Sequence, residues 1–368
     1  MKLTKTVVIT IFAAVMLTSF ILLAQVLMRT HETKINLNDS QFEEEVQNNM
    51  SVPVSESTNA LIDKPLIDSN TGKLLLPLRY IIEKMGGTVI WDKNFDITEI
   101  SCSGVEVKIQ ENNKYGSVNG QSIVMSDIPK RINNSLYVSS DFISMNFGVV
   151  INWNEESEQI TITKNSEKLP IVNANALEYT SENISYYIEV PVLIGLNDKA
   201  FEDNINKTLI QNETNLVQNF VSTVTNLAVE NENYWYQLKM SVSYRTPKII
   251  SIVMNGERKL PNEEMSVVKS TITINLENQN FISLKDIFKG ESYESVILQE
   301  MEKFKEKDSL LYDAGLIKTV NPQDFYIKEN NLVVFVRSQY ANEYVEYEIP
   351  FEDISKNLRS EYKNTFIK

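Results

Sequence analysis

The chain has one cysteine, Cys102, and one histidine, His31, in 368 residues. Those two scarcities exclude much chemistry. An intramolecular disulfide cannot form, and a tetrahedral zinc site drawn from Cys and His is impossible within one chain. A Ser–His–Asp or Cys–His nucleophile would have to recruit His31, which sits in a polar stretch outside any expected folded part. Cys102 falls in or beside a strand and reads as a buried, inert thiol. Cations are scarce too: 35 Lys and Arg stand against 49 Asp and Glu, for a formal net charge of −14. Phosphate binding needs clustered Lys and Arg, so nucleic acid is not an expected partner. An acidic balance suits basic partners or cations, or serves solubility alone. Chemistry by paired carboxylates is the catalytic option that composition leaves open.

What is present begins with an apolar run, residues 7–28, interrupted only by Thr10, Thr18, Ser19 and Gln25. At about 1.5 Å per residue it spans a hydrocarbon core of roughly 30 Å. Lys2 and Lys5 precede it, which puts residues 1–6 in the cytoplasm by the positive-inside rule. A cleaved signal peptide competes with this reading. The run is longer than a usual signal-peptide core and its exit, LLAQVLMRT, has no clear small-x-small cleavage site, so an uncleaved signal anchor is expected. Either way the rest of the chain is extracytoplasmic. Residues 29–60 are polar, with an acidic run at Glu43–Glu45, and read as a disordered spacer.

The stretch that follows contains one pattern twice. LLLPLRYIIEKMGGTVIWDKNFDITEI, from Leu74, aligns without gaps with LYVSSDFISMNFGVVINWNEESEQITI, from Leu136. A shift of 62 residues lays Leu76 on Val138, Gly86 on Gly148, Trp91 on Trp153 and Ile100 on Ile162. Such self-similarity marks a duplicated supersecondary unit. In the first copy Pro77 suits the start of a helix, Leu78, Ile81, Ile82 and Met85 share one helical face, and Gly86-Gly87 supplies a left-handed cap. A strand through Val89 and Trp91 and a return strand from Ile97 follow. Asn119-Gly120, between YGSV and QSIV, is a type I′ hairpin signal. The alternating pattern puts Trp91 and Trp153 in the core rather than on a ligand platform.

LPLRYIIEKMGGTVIWD, the VNG hairpin and the second copy together resemble the copper amine oxidase N-terminal-like domain, or stalk domain, over residues 61–164. The resemblance implies a spacer or cell-wall-associated module on a Gram-positive surface, with none of the oxidase's copper chemistry. Ser139-Ser140-Asp141 stands where the family repeats its Pro-Leu-Arg, so a weaker start is expected for the second helix.

After a junction at residues 165–176, residues 177–368 read as a second domain. Ile184–Leu193 is a strand. Asn197 or Asp198 caps a long helix whose buried stripe is Phe201, Ile205, Leu209, Leu216, Phe220, Val224 and Leu227. Strands are expected at Tyr234–Tyr244, Ile249–Met254 and Ser266–Leu276, with Asn255-Gly256 as a turn. Short helices are expected at Ser283–Phe288 and Tyr293–Lys305. Closing strands are expected at Phe325–Lys328, Leu332–Gln339 and Tyr344–Ile349. Helices and antiparallel strands mix without strict alternation, so the class is α+β. YYIEVPVLIGLNDKAFEDNIN resembles the opening of a domain found in the peptidoglycan deacetylase PdaC. NLENQNFISLKDIFKGESY and FYIKENNLVVFVRSQYANEYVEYEIPFEDI resemble the RsiV-type extracytoplasmic domain. This resemblance implies a sensing or binding domain with lysozyme as its ligand. The few residues before the apolar run leave no room for a sigma-binding region.

Five residues are candidates for ligand contact. Tyr234, Trp235 and Tyr236 form an aromatic cluster, although strands favour aromatics in any case. Arg258 and Lys259 are read as a solvated hairpin tip. Glu263-Glu264 and Glu155-Glu156 lack the oxygen spacing of a known calcium loop. No catalytic, metal or cofactor residue is expected. The expected protein is a non-catalytic, single-pass envelope protein that contacts the membrane through residues 7–28 and binds cell-wall peptidoglycan or a basic secreted protein such as lysozyme. The alternatives are a ligand-free structural spacer and a carboxylate-dependent wall hydrolase.

Overall fold

The structure is a computed structural model that describes residues 49–52, 64–69, 71–154, 159–164, 169–229, 232–290, 293–304, 317–338 and 341–367. The expected cytoplasmic tail, the signal anchor at 7–28, His31, most of the spacer and Glu155-Glu156 lie outside those residues. Among the described residues no helix is long and apolar enough to cross a membrane. Residues 48–368 form one compact unit.

In chain order the duplicated region contains β1 (Asn49–Val52), β2 (Leu66–Ile67), β3 (Leu74–Pro77), α1 (Leu78–Lys84), β4 (Thr88–Asp92), β5 (Ile97–Cys102), β6 (Val105–Ile109), β7 (Tyr115–Val118), β8 (Gln121–Val124), β9 (Lys130–Ile132), β10 (Ser135–Ser139), α2 (Ser140–Phe147), β11 (Val149–Asn154) and β12 (Gln159–Lys164). The repeat is visible element by element. Shifting β3, α1, β4 and β5 by 62 residues lands on β10, α2, β11 and β12. β3 and β10 pair antiparallel, with Leu75 opposite Ser139, Leu76 opposite Val138 and Pro77 opposite Tyr137. Leu76 and Val138 are equivalent in the repeat, and the flanking pairs exchange their equivalents. The two copies are therefore related by a pseudo-twofold axis through that pair.

Local chemistry explains each copy's turns. Gly86 has φ of 82° and ends α1 in the left-handed region. Gly87 does something else: a Cβ there would lie 2.6 Å from Ser101 O, so its lack of a side chain lets α1 pack down on β5. The second helix does not start weakly. Ser139 accepts a hydrogen bond from Phe142 N at 3.2 Å and is a proper N-cap, whereas Pro77 caps α1 without a side-chain bond. Asn119 and Gly120 both have positive φ, as a type I′ hairpin between β7 and β8 requires. The end of the expected spacer is not free. β1 pairs with β12 and fills in copy two the place that β6 fills beside β5 in copy one.

The second region contains β13 (Ile171–Thr180), β14 (Ile184–Ile194), α3 (Lys199–Leu227), β15 (Tyr234–Arg245), β16 (Ile249–Lys259), β17 (Ser266–Asn275), β18 (Asn280–Phe281), α4 (Leu284–Ile287), α5 (Tyr293–Glu302), β19 (Phe325–Lys328), β20 (Asn331–Arg337), β21 (Tyr344–Pro350) and α6 (Ser360–Phe366). Asp198 caps α3 through Phe201 N at 2.9 Å. β14 and β15 are parallel, joined by α3, and the other pairs are antiparallel, so the α+β class holds. Three expectations are corrected. The junction at 165–176 contributes most of β13. Leu227 is exposed, and the carboxylate of Glu213 occupies the buried stripe of α3 instead. Asn255-Gly256 is not a turn but the interior of β16. Gly256 is needed there because a Cβ would meet Gln237 O at 1.8 Å on the neighbouring strand.

One sheet crosses the boundary between the two regions. Its order is β18-β17-β16-β15-β14-β13-β8-β7-β6-β5-β4, and the crossing is the single pair Ala174–Val124. The core of the repeat also takes in Ile171 and Ile194 from the second region. A small sheet, β19-β20-β21, packs on the large one at Val253, against Tyr326, Val333 and Phe335. Cys102 is buried and free, as expected.

Candidate functional site

Strand pairing decides where the five candidate residues go. On β15 and β16, Trp235 is opposite Lys259 and Tyr236 is opposite Arg258. Successive side chains on a strand point to opposite faces, so the five divide into two groups. Tyr236 faces α3, its ring 5.7 Å from that of Phe220 and edge-on. Tyr234 is on the same face; its hydroxyl accepts from Val229 N and donates to the Glu232 carboxylate, each at 3.0 Å. Both tyrosines are nearly fully buried, at 1% and 3% exposure, and belong to the core rather than to a contact surface. Burial pushes the Tyr236 hydroxyl up to about 12. Arg258 shares this face, and its buried Nε has no hydrogen-bond partner. Arg258 and Lys259 are thus strand residues, not a hairpin tip.

Trp235 and Lys259 lie on the opposite, more open face, with Lys259 Nζ folded back onto Glu263 O. Register extends this face across β14 and β13. Tyr187 lies beside Gln237 on one side and opposite Glu178 on the other. Lys114 and Tyr115, at the start of β7, close over the same spot. Lys114 Nζ is 2.8 Å from Glu178 Oε2, 4.6 Å from the centre of the Tyr187 ring and 5.0 Å from that of Tyr115. The Tyr115 hydroxyl donates to the other Glu178 oxygen. The bond to Glu178 raises the Lys114 ammonium to about 12, and the bonds from Lys114 and Tyr115 hold the Glu178 carboxyl below its usual range. Desolvation pushes Tyr187 up to about 12. Its hydroxyl donates to Oε1 of the buried Glu189 at 3.2 Å, and Oε2 of that carboxylate accepts from Met240 N at 2.9 Å.

Glu189 also lines a cavity of about 400 Å3 where this face meets the repeat. Its walls come from α2, from the loop after β8, and from β15. Lys73 bridges two wall residues, with its ammonium 2.9 Å from Asp127 and 3.6 Å from Asp141. Arg245, at the end of β15, donates to Ser144 O and Met145 O at 2.9 Å each and to Pro170 O at 3.3 Å. It therefore holds the C-terminal end of α2, where the helix dipole favours a cation. Asn173 donates to Asn146 Oδ1 at 3.0 Å across the same seam.

Other expectations fare unevenly. Trp153 is half-buried against the core, but Trp91 is 45% exposed. Trp91 lies near the hairpin tip, where the strand leaves the core, and its Nε1 donates to Asp96 Oδ1 at 3.0 Å. Glu263 and Glu264 are exposed. Among the described residues no three His, Cys, Asp or Glu side chains are grouped to hold a metal ion. The groups that build the open face and the cavity, namely Lys114, Glu178, Tyr187, Glu189, Lys73 and Asp141, were not singled out in the sequence. The alternation in ISYYIEV does place Tyr187 and Glu189 on one face. The sequence carries no comparable signal for the register that brings Lys114 to them.

Comparison with known proteins gives a family match over the repeat and a relative that spans about half of the chain. Residues 53–162 match the copper amine oxidase N-terminal domain family. The anti-sigma-V factor RsiV of Bacillus subtilis is 27% identical over 217 residues, covering 53% of this chain and 71% of that protein. Two solved structures are also similar. A DUF3298 family member from Bacteroides fragilis has 15% identity and a TM-score of 0.45, covering 56% of this chain and 99% of its own. A DUF3298 family protein from Pseudomonas aeruginosa has 13% identity and a TM-score of 0.41, covering 53% and 97%. The chain thus combines a copper amine oxidase N-terminal-like segment with an RsiV-like region.

Proposed function

We propose that this chain is a membrane-anchored, extracytoplasmic binding or sensing protein of the cell envelope, without catalytic activity, whose partner is a basic, lysozyme-like protein. The match to an anti-sigma factor over most of that protein's length carries the reading. The net charge of −14 supports it, because an acidic surface draws a cationic partner and steers its approach. The repeat acts as the stalk that presents the second region. A ligand-free spacer is the second reading, favoured by the strand pair and the shared core that join the two regions.

The test uses the full-length chain in detergent micelles, passed over immobilised lysozyme and, separately, over purified peptidoglycan sacculi. The expected result is retention on lysozyme at low salt that fades at moderate salt, as screening shortens the Debye length to about 8 Å near 0.15 M. Failure to retain the chain on lysozyme at low salt overturns the partner. Failure on both supports leaves the spacer.

A further inference from the structure

β11 is the last strand of its sheet, with β12 on one side and a bare edge on the other. Sheets blunt such edges with charge, proline, short length or a covering side chain, because a bare edge templates another strand. Among the described residues, the other strands at sheet ends each carry one of these devices. β2 and β18 are two residues long. β1 has four residues, and Pro53 follows it in sequence. β9 carries Lys130 and Arg131, and β21 carries Glu346 and Glu348. Ile327 N of β19 donates to Ser251 Oγ at 3.1 Å. β4 is closed by a side chain, since Arg79 Nη1 donates to Val89 O at 2.7 Å.

β11 has none of them. Its residues, VVINWN, include no charge and no proline. The 62-residue shift puts Ile151 where β4 has Val89, and Asp141 where α1 has Arg79. A carboxylate cannot donate to a carbonyl, and Asp141 turns to Lys73, 3.6 Å away. Alternate residues of an edge strand direct their N–H and C=O outward, and the Arg79 bond marks the Val89 position as one of these. Among the described residues, no side chain or further strand takes those groups at Ile151 or Trp153.

The strand is also complementary to itself. Turned antiparallel about a twofold axis at Ile151, it sets Ile151 opposite Ile151, Val149 opposite Trp153 and Val150 opposite Asn152. The first two are then hydrogen-bonded pairs, and no like charges meet. Val149, Ile151 and Trp153 face the core of the repeat. Ile151 and Trp153 are only half-buried at its rim, so each gains apolar cover from the second copy. Val150, 46% exposed, and Asn152 stand on the outer face. Because β4 is clipped, β11 meets no second kind of open edge there, and the pairing closes as a dimer instead of running on as a filament.

We propose that two copies of this chain join through β11, edge to edge, into one continuous sheet. The proposal goes beyond the protein partner above and does not depend on it. A strand pair buries little area, so the dimer is weak, with a Kd of about 1–100 µM.

The experiment is sedimentation equilibrium of the full-length chain in density-matched micelles, with micelles in large excess over chains, from about 0.5 to 200 µM. The wild type should pass from monomer to dimer across that range. Val150→Glu combined with Asn152→Glu sets like charges opposite each other twice and should weaken the dimer at least about tenfold. Val150→Lys combined with Asn152→Glu sets opposite charges in the same places and should keep the affinity within about threefold of the wild type. Both pairs of substitutions fall on exposed side chains, so the variants should keep the wild-type melting temperature. Amide exchange at Ile151 and Trp153 should slow as concentration rises. A chain that stays monomeric throughout overturns the proposal. So does a dimer that the two glutamates leave unchanged, or a lysine–glutamate variant no tighter than the glutamate pair. Protection of the Ile151 amide already present in the monomer overturns it too, because a segment of the same chain then covers the edge.

Discussion

Replacing Arg245 with alanine should uncouple the two halves of the molecule. Its guanidinium serves three carbonyl oxygens, Ser144 O, Met145 O and Pro170 O. Ser144 O also accepts from Gly148 N at 3.1 Å, so it keeps a partner when the arginine is gone. The other two lose their charged donor. A buried carbonyl left without one costs about 1–3 kcal/mol, and the lost cation at the end of α2 adds roughly 0.3–1 kcal/mol. Arg245 lines both the seam cavity and a second cleft of about 840 Å3. Water can therefore reach the vacated site, which places the total at the lower end, at about 2–4 kcal/mol. For a unit of about 320 residues that is a fall of roughly 3–6 °C in Tm. Differential scanning calorimetry on the full-length chain in micelles is the assay. The wild type should unfold the two regions in one cooperative step, because sheet and core run through the seam. The alanine variant should melt earlier and broaden or split, as the single strand pair at the seam no longer keeps the halves in step. Arg245→Lys should recover part of the loss, since an ammonium reaches fewer carbonyls than the guanidinium fork. An alanine variant with wild-type Tm and one sharp transition would refute the idea that this residue joins the halves.

Two further outcomes follow from buried positions. Burial without an opposing charge raises the Glu213 carboxyl from 4.5 to about 7. The folded form then holds its proton at a pH where the unfolded form has lost it, so stability falls as pH rises from about 4.5 to 7 and levels off above that. The shift corresponds to about 3 kcal/mol. Urea unfolding at pH 5 and pH 8 should show a penalty at the higher pH that Glu213→Gln removes, and an equal midpoint difference in the variant would count against it. Gly256→Ala forces a methyl group into the Gln237 backbone. It should cost about 3 kcal/mol or more in unfolding free energy, whereas a cost nearer 1 kcal/mol would fit a turn glycine instead.

The same dipeptide shows where local signals suffice and where they fail. Asn119-Gly120 and Asn255-Gly256 both sit between strand-forming residues. At the first the glycine is needed for its own backbone angle, a local requirement that sequence displays. At the second it is needed because another strand, 19 residues away at Gln237, passes too close for a side chain. The repeat, the Asp198 cap and the closing strands were legible for the first reason. Arg245, whose carbonyl partners lie about 100 residues away, and Glu213, a carboxylate in an apolar stripe, were not. The candidate site was half legible. Alternation separates Trp235 and Lys259 from Tyr234, Tyr236 and Arg258, but only the register between β13, β14 and β15 shows which face is shut by α3 and which lies beside Lys114.

The pseudo-twofold axis through Leu76 and Val138 bears on how such a stalk could have arisen. An antiparallel pair that exchanges equivalent residues is the interface of a symmetric homodimer. A chain carrying one copy would meet a second chain through that register, and its stability would depend on its concentration. Fusing the copies with the connection from β5 to β10 makes the meeting intramolecular and independent of concentration. Once joined, the copies no longer had to be identical. The two now differ: the first starts its helix at Pro77-Leu78-Arg79, while the second caps its helix with Ser139 and places Asp141 on a cavity wall.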